Sequence, residues 1–208
     1  AALRRATAAA DFHLTARLFA GDFARMSPGT DAAGDLLVAR AALLVGDVAT
    51  ASAFRTAAQN AGAPVASLGP LDAALAAATP ADRATRDAVI AQRISAASGA
   101  AARGIAREVA VLSALAGGAG PQSRAFLART PPQGGRAGDP GLVLALTEAS
   151  AAGSVGETAI LAALLLGDGA HGLDTATLVA VLRALRTVGL EDSARQAAAE
   201  ALVFAAPT

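Results

Sequence analysis

Apolar positions recur at intervals of three and four along most of the chain instead of alternating, which is the period of helices buried along one face. Leu36, Leu37, Ala41, Leu44 and Val45 follow this spacing, as do Val89, Ile90 and Ile94 and then Ile105, Val109 and Leu112. Even the β-branched run "TLVAVL" at residues 177–182 keeps it, so no strand is predicted. The longest apolar run, "TAILAALLLG" at residues 158–167, falls well short of the ~20 residues of a membrane span and is expected to be a core helix.

Polar and glycine punctuation sets the predicted helix ends. A first helix is expected over residues 2–20, ended by Gly21 in a left-handed conformation. A second runs from near Asp31 to Gly46, and a third from Asp47, as N-cap, to the region of Asn60 and Gly62. "APVASLGP" reads as a loop before a short helix over residues 71–78. Thr79 is the expected cap of the next helix, with Pro80 in its first position, where a missing N–H costs nothing. Another helix follows over residues 101–116. Four more are expected over residues 142–152, 156–166, 175–188 and 191–204, the second of these opened by a capping box between Ser154 and Glu157.

The segment "TPPQGGRAGDPG" is the clearest break in the periodicity. A phosphate cradle from Gly134, Gly135 and Arg136 is one reading. However, no strand precedes it and no Lys-Ser/Thr pair follows, which excludes a P-loop and favours a surface connection. The expected organisation is therefore a hairpin array over residues 1–129, a Pro/Gly-rich connection over 130–141 and C-terminal hairpins over 142–208, separate from the first array or continuous with it.

Composition sharpens the helical reading. Of the 208 residues 62 are alanine, the best helix former, so helices can approach closely with thin side-chain layers between them. Charged residues are only 16% of the chain, against roughly 25% in ordinary domains, which predicts a charge-poor surface. All 17 basic residues are Arg and the formal net charge is zero. With no basic run and no aromatic interleaving, nucleic-acid binding is not expected, because phosphate contacts need a clustered positive face. The absence of Cys removes disulfides and thiolate metal sites and leaves the compartment undecided between bacterial cytoplasm and periplasm. The Arg and Ala bias fits a GC-rich bacterial genome, and the start at Ala1 fits a trimmed product whose signal peptide, if any, lies upstream.

The chain also repeats itself. Residues 38–64 align without gaps to residues 181–207, pairing Val38 with Val181, Arg40 with Arg183, Val45 with Val188, Gly46 with Gly189 and Pro64 with Pro207. Thr50 and Ser193 are near equivalents, and "LFAGDFARM" at residues 18–26 is a weaker third copy. The pattern describes an antiparallel helix pair: Gly ends one helix, a short polar turn starts the next, and Ala at the crossing lets the backbones approach.

This unit resembles the tetratricopeptide family of helical repeats, in which a late Gly in the first helix is followed by small residues in the second. Ala51 and Ala58 match those positions after Gly46, and Ala194, Ala197 and Ala201 match them after Gly189. The family's Trp and Tyr positions have no counterpart in a chain lacking both, and Gly21 and Gly46 are 25 residues apart against a period of about 34. The expected fold is all-α, a degenerate array of antiparallel helical hairpins of the α-solenoid type.

Candidate chemistry is sparse. His13 stands near Asp11 and Arg17, and His171 lies between Asp168 and Asp174, a conceivable metal set with no established ligand spacing. The plainer reading leaves His171 exposed and makes Asp174 a helix cap. There is no G-x-S-x-G or H-E-x-x-H pattern, and the only paired carboxylates, Glu191 and Asp192, suit the first turn of a helix. Arg86, Arg93, Arg103 and Arg107 are expected on exposed helix faces. The function expected from these features is a non-enzymatic scaffold with no cofactor and no metal, binding a protein or peptide on helix faces or associating with itself. Arg40 and Arg183, each six residues before a terminating Gly, are the candidate partner-binding residues. Two alternatives stand beside it: the helical accessory domain of an enzyme, and a structural subunit buried in a larger complex.

Overall fold

In the computed structural model the described residues are 2–204 without Thr7, Ala24, Thr30, Gln133 and Asp168, with Arg5 described for its backbone only. They form an all-α fold of thirteen α-helices with no strand. One parallel β-bridge, between Arg136 and Leu173, is the sole ladder contact among them.

The N-terminal segment is broken where one helix was expected. It forms α1 (Ala2–Arg5), α2 (Ala9–Leu18) and α3 (Ala20–Phe23). Gly21 lies inside α3 and has no positive φ, so it does not terminate a helix. The next pair follows the sequence closely. Helix α4 (Ala32–Leu44) starts at Asp31, whose carboxylate accepts from the Ala33 and Gly34 N–H groups, and α5 (Val48–Asn60) starts at Asp47, which accepts from Thr50. Between them Gly46 has φ +82°. Its N–H donates to the Leu43 carbonyl and that of Asp47 to Ala42, the two bonds of a Schellman turn.

Helix α6 (Val65–Ala78) begins six residues before the expected start and contains Pro70. Only the Ala66 carbonyl loses its helical donor there, and Ala66 is exposed to water, so the interior proline is tolerated. Asp82, not Thr79, caps α7 (Arg83–Ser95) through the Thr85 N–H, while Thr79 closes α6 by donating to Leu75. Helix α8 (Ala101–Leu115) buries Ile105, Val109 and Leu112 as expected. The unpredicted α9 (Pro121–Arg129) uses Pro121 in its first turn.

After the connection come α10 (Pro140–Ala151), α11 (Val155–Leu166), a 3-10 turn at Ala170–Gly172, α12 (Thr175–Thr187) and α13 (Glu191–Val203). The Ser154 capping box does not form. The Ser154 N–H is already given to the Ala149 carbonyl in the Schellman turn that ends α10, so the Glu157 carboxylate has no donor to receive there.

Helices α4 and α5 pack on one another more extensively than any other pair, followed by α6 and α13. Helix α13 also touches α4, α8, α12 and the 3-10 turn, so it is enclosed by elements from both halves of the sequence. Its buried residues are mostly small: Ala194, Ala197, Ala198, Ala199 and Ala201. Ala73, Ala74 and Ala77 are buried on α6, giving the thin layer that the composition implied. One hydrophobic cluster runs from Phe12 to Val203. No helix among the described residues is long and apolar enough to cross a membrane.

Candidate functional site

The arginines expected on exposed faces mostly turn inward. Arg86 is buried and donates to the Ala81 and Thr79 carbonyls, closing the turn between α6 and α7. Arg93 pairs with the buried Glu108. Arg107 is buried too, and its guanidinium donates to the carbonyls of Leu173 (2.7 Å), Ala170 and His171 (both 3.3 Å), bracing the turn before α12. Burial pushes the pKa of Arg86 and Arg107 down. Of the four, only Arg103 is exposed. Three of these cations are thus occupied by structural acceptors. Periodicity could not show this, because the polar face of α8 is covered by helices distant in sequence.

Arg40 and Arg183 lie in unlike surroundings. Arg40 is half-buried, burial lowers its pKa, and among the described residues it has no hydrogen-bond or ion-pair partner. Arg183 is exposed beside Arg186, where with Ala114, Gly117 and Thr187 it borders a shallow cavity of about 340 Å³.

His171 is half-buried, not exposed as expected. Its ring tilts against Phe204 with centroids 5.0 Å apart, and Phe204 meets Phe12 edge-on at 5.9 Å. Its Nδ1 lies 3.8 Å from Glu200 Oε1, which accepts from the Ala170 N–H. Asp174 caps α12 through the Thr177 N–H. Asp168 lies outside the described residues, and among those described no three His, Asp or Glu side chains gather as a metal set. His13 borders a separate cavity of about 420 Å³ with Arg17, Gln196 and Glu200.

The connection does more than span a surface. Arg136 exchanges backbone hydrogen bonds with Gly172 and Asp174, and a Cβ on Gly135 would sit 2.5 Å from the Leu173 carbonyl oxygen. Glycine is needed there for close backbone approach rather than for holding phosphate.

Two apolar surfaces face solvent instead. The first is a groove of about 580 Å³ among α1, α3, α4 and α5. Leu3, Phe23, Leu37 and Phe54 line it, and Phe19 and Met26 stand at its edge, 38% and 46% exposed. The acidic groups around it are engaged: Arg4 pairs with Asp31, Asp35 accepts from the Gly29 N–H at 3.0 Å, and Arg25 lies 3.9 Å from Asp22. What the groove offers a ligand is apolar contact.

The second surface is α11, the run expected to be a core helix. It buries only Thr158, Ala162 and Leu165, while Ile160 and Leu164 are 64% and 59% exposed. Among the described helices it packs mainly against α10 and α12, and the side carrying Glu157, Ile160, Ala163 and Leu164 is left exposed. Hydropathy alone could not reveal that, since it measures what a helix prefers and not which neighbours are supplied.

Comparison with known proteins adds no name to this geometry: no family model, no curated protein and no solved structure matches the chain.

Proposed function

We propose that this chain is a non-enzymatic interaction scaffold, a tetratricopeptide-like array of helical hairpins that binds a protein or peptide partner on its helix faces. The observation that carries the reading is the groove beside Phe19 and Met26. It is large enough for an apolar anchor side chain, and the acidic groups around it are already engaged. A helical or extended segment laying one such side chain between helices is a common mode of recognition. The flexible Met26 side chain suits a surface that adapts to its ligand.

Three turns of one construction support the hairpin part of the reading. Gly46, Gly153 and Gly189 all have positive φ and join α4 to α5, α10 to α11 and α12 to α13. Ala51 and Ala194, aligned in the repeat, are both fully buried. The enclosure of α13 by α4 and α6 makes the array a closed one, whereas in an extended solenoid each repeat touches only its neighbours.

The test is site-specific photo-crosslinking in an extract of the cells that make the protein, with the crosslinker at position 19, 26 or 103. Capture of one partner from positions 19 and 26, but not from the exposed control at Arg103, is expected. The same bands from all three positions, or none from the groove, would remove the groove as the binding site.

A further inference from the structure

The uncovered face of α11 is chemically patterned along its length. At 100° per residue, Gly156, Glu157, Ile160, Ala163 and Leu164 fall on one arc, and all five are exposed. Glu157 lies in the first turn. At the other end Gly167 follows the last helical residue, and the Arg136 guanidinium stands over it, its Nη2 3.6 Å from where a Gly167 Cβ would lie. Arg136 is exposed, and its one hydrogen bond from the side chain among the described residues goes to the Leu165 carbonyl, at 3.5 Å. Neither Glu157 nor Arg136 has an ion-pair partner among the described residues. The face thus runs from a carboxylate, across two large apolar side chains, to a guanidinium, neither charge being ion-paired among the described residues.

Such a face is its own complement when turned end for end. We propose that α11 is the seam of a homodimer, in which two copies of this helix pack antiparallel about a two-fold axis level with Ala162. In an isologous contact each pairing occurs twice. Around that axis Ile160 meets Leu164 of the second copy, and Leu164 meets Ile160. Ala163, beside the axis, lets the backbones approach, and Gly156 keeps the outer end of the seam thin. Glu157 comes level with Gly167 of the second copy, under the Arg136 guanidinium. The ten residues from Glu157 to Gly167 span about 15 Å, so both ion pairs form at once with the apolar contacts between them. A second copy is the occupant this pattern selects, because a different protein would need to present the same order of charge and apolar residues by coincidence. A parallel pairing is disfavoured, since it would set Glu157 against Glu157 and Arg136 against Arg136. A one-helix seam is small, which sets the expected dissociation constant on the order of 10 µM or weaker.

This inference goes beyond the partner groove and does not depend on it. The test is sedimentation velocity of the intact chain from about 1 to 500 µM, with circular dichroism confirming that each variant is folded. The wild type should shift from monomer to dimer across that range. Ile160→Asp, on a solvent-exposed position, should weaken the dimer by at least about tenfold. Glu157→Arg and Arg136→Glu should each weaken it about threefold or more, and the double variant that swaps the charges should regain wild-type affinity. That rescue is specific to the antiparallel register. A chain monomeric throughout the range overturns the proposal. So does a dimer that survives Ile160→Asp, or one whose charge swap brings no recovery. Capture of another protein by a crosslinker at position 160, with the purified chain monomeric, would assign the face to a different occupant and also overturn it.

Discussion

Arg93 of α7 grips Glu108 of α8 with two prongs, Nε to Oε2 at 2.5 Å and Nη2 to Oε1 at 3.1 Å. The guanidinium lies across Gly69 of α6, where a Cβ would come within 2.7 Å of its central carbon, so one ion pair joins three helices. Burial raises the pKa of Glu108, and the hydrogen bond from Arg93 only partly offsets this. The folded state therefore holds the proton more tightly than the unfolded chain. Glu108's contribution to stability is greatest below the ordinary carboxylate range and is lost as the pH rises through its raised value.

The comparison that isolates this effect is Glu108→Gln, which cannot ionise. Urea unfolding at pH 4 and pH 7 should show the stability difference moving in favour of the variant at the higher pH, by about 1.4 kcal/mol for each unit of elevation. Arg93→Ala should behave in a related way. It leaves a buried carboxylate unpaired, so it should cost about 3–5 kcal/mol at pH 7 and less at pH 4. A Glu108→Gln difference that moves the other way with pH would contradict the assigned direction.

Gly46 and Gly189 have φ of +82° and +81°, and no atom lies within 3.4 Å of a Cβ built on either. The space is open, so the cost of a side chain is conformational alone. Gly46→Val and Gly189→Val should each lose about 1–3 kcal/mol, and Asn at the same positions should lose less. Thermal melts of the four variants decide it; unchanged melting temperatures for both valines would mean that these turns do not need left-handed geometry.

Arg107 supplies the 3-10 turn and the start of α12 with hydrogen bonds to three carbonyls. Arg107→Met keeps the stem and removes the donors, leaving those carbonyls under-satisfied in a buried place. A loss of about 2–4 kcal/mol is expected, with amide exchange accelerating first at Leu173 and Asp174. Uniform exchange across all helices would mean that the arginine does not brace this turn specifically.

Arg40 and Arg183, aligned in sequence, should respond differently. Arg40 is half-buried with no partner among the described residues, so Arg40→Met should raise the melting temperature or leave it unchanged. Arg183→Ala, on an exposed position, should change stability by no more than about 0.5 kcal/mol. Measuring partner capture alongside the melts separates a binding role from a packing role for each.

Helix ends were the most legible part of the sequence, because each is decided by one or two neighbouring residues. Asp47 and Asp174 cap where their side chains predict, a helix starts at Asp31 as expected, and Gly46 and Gly189 stop helices with the same geometry. Errors arose where a local signal was overridden. Pro70 reads as a breaker, yet its one orphaned carbonyl faces water. Ser154 and Glu157 spell a capping box whose donor the preceding turn had already used. Arg107 reads as a solvated residue until the loop at Leu173, more than sixty positions later, folds over it. The surface was least legible for the same reason: nothing in "TAILAALLLG" tells that only one side of it is covered.

Gln196 on α13 donates to the carbonyl of Leu44 at the end of α4, a contact across 152 residues. With α6 resting on the same helix, this has a consequence for how the molecule is made. At about 5–20 residues per second, a ribosome adds that length in about 8–30 s. Once α6 is made, its alanine face and the end of α4 wait for α13 for the rest of that interval. Early helices can form and pair as they emerge, but the final side of their core arrives only with α13. A nascent chain stalled before Glu191 should therefore be a target for chaperones and proteases, and the emergence of α13 is the event that ends its vulnerability.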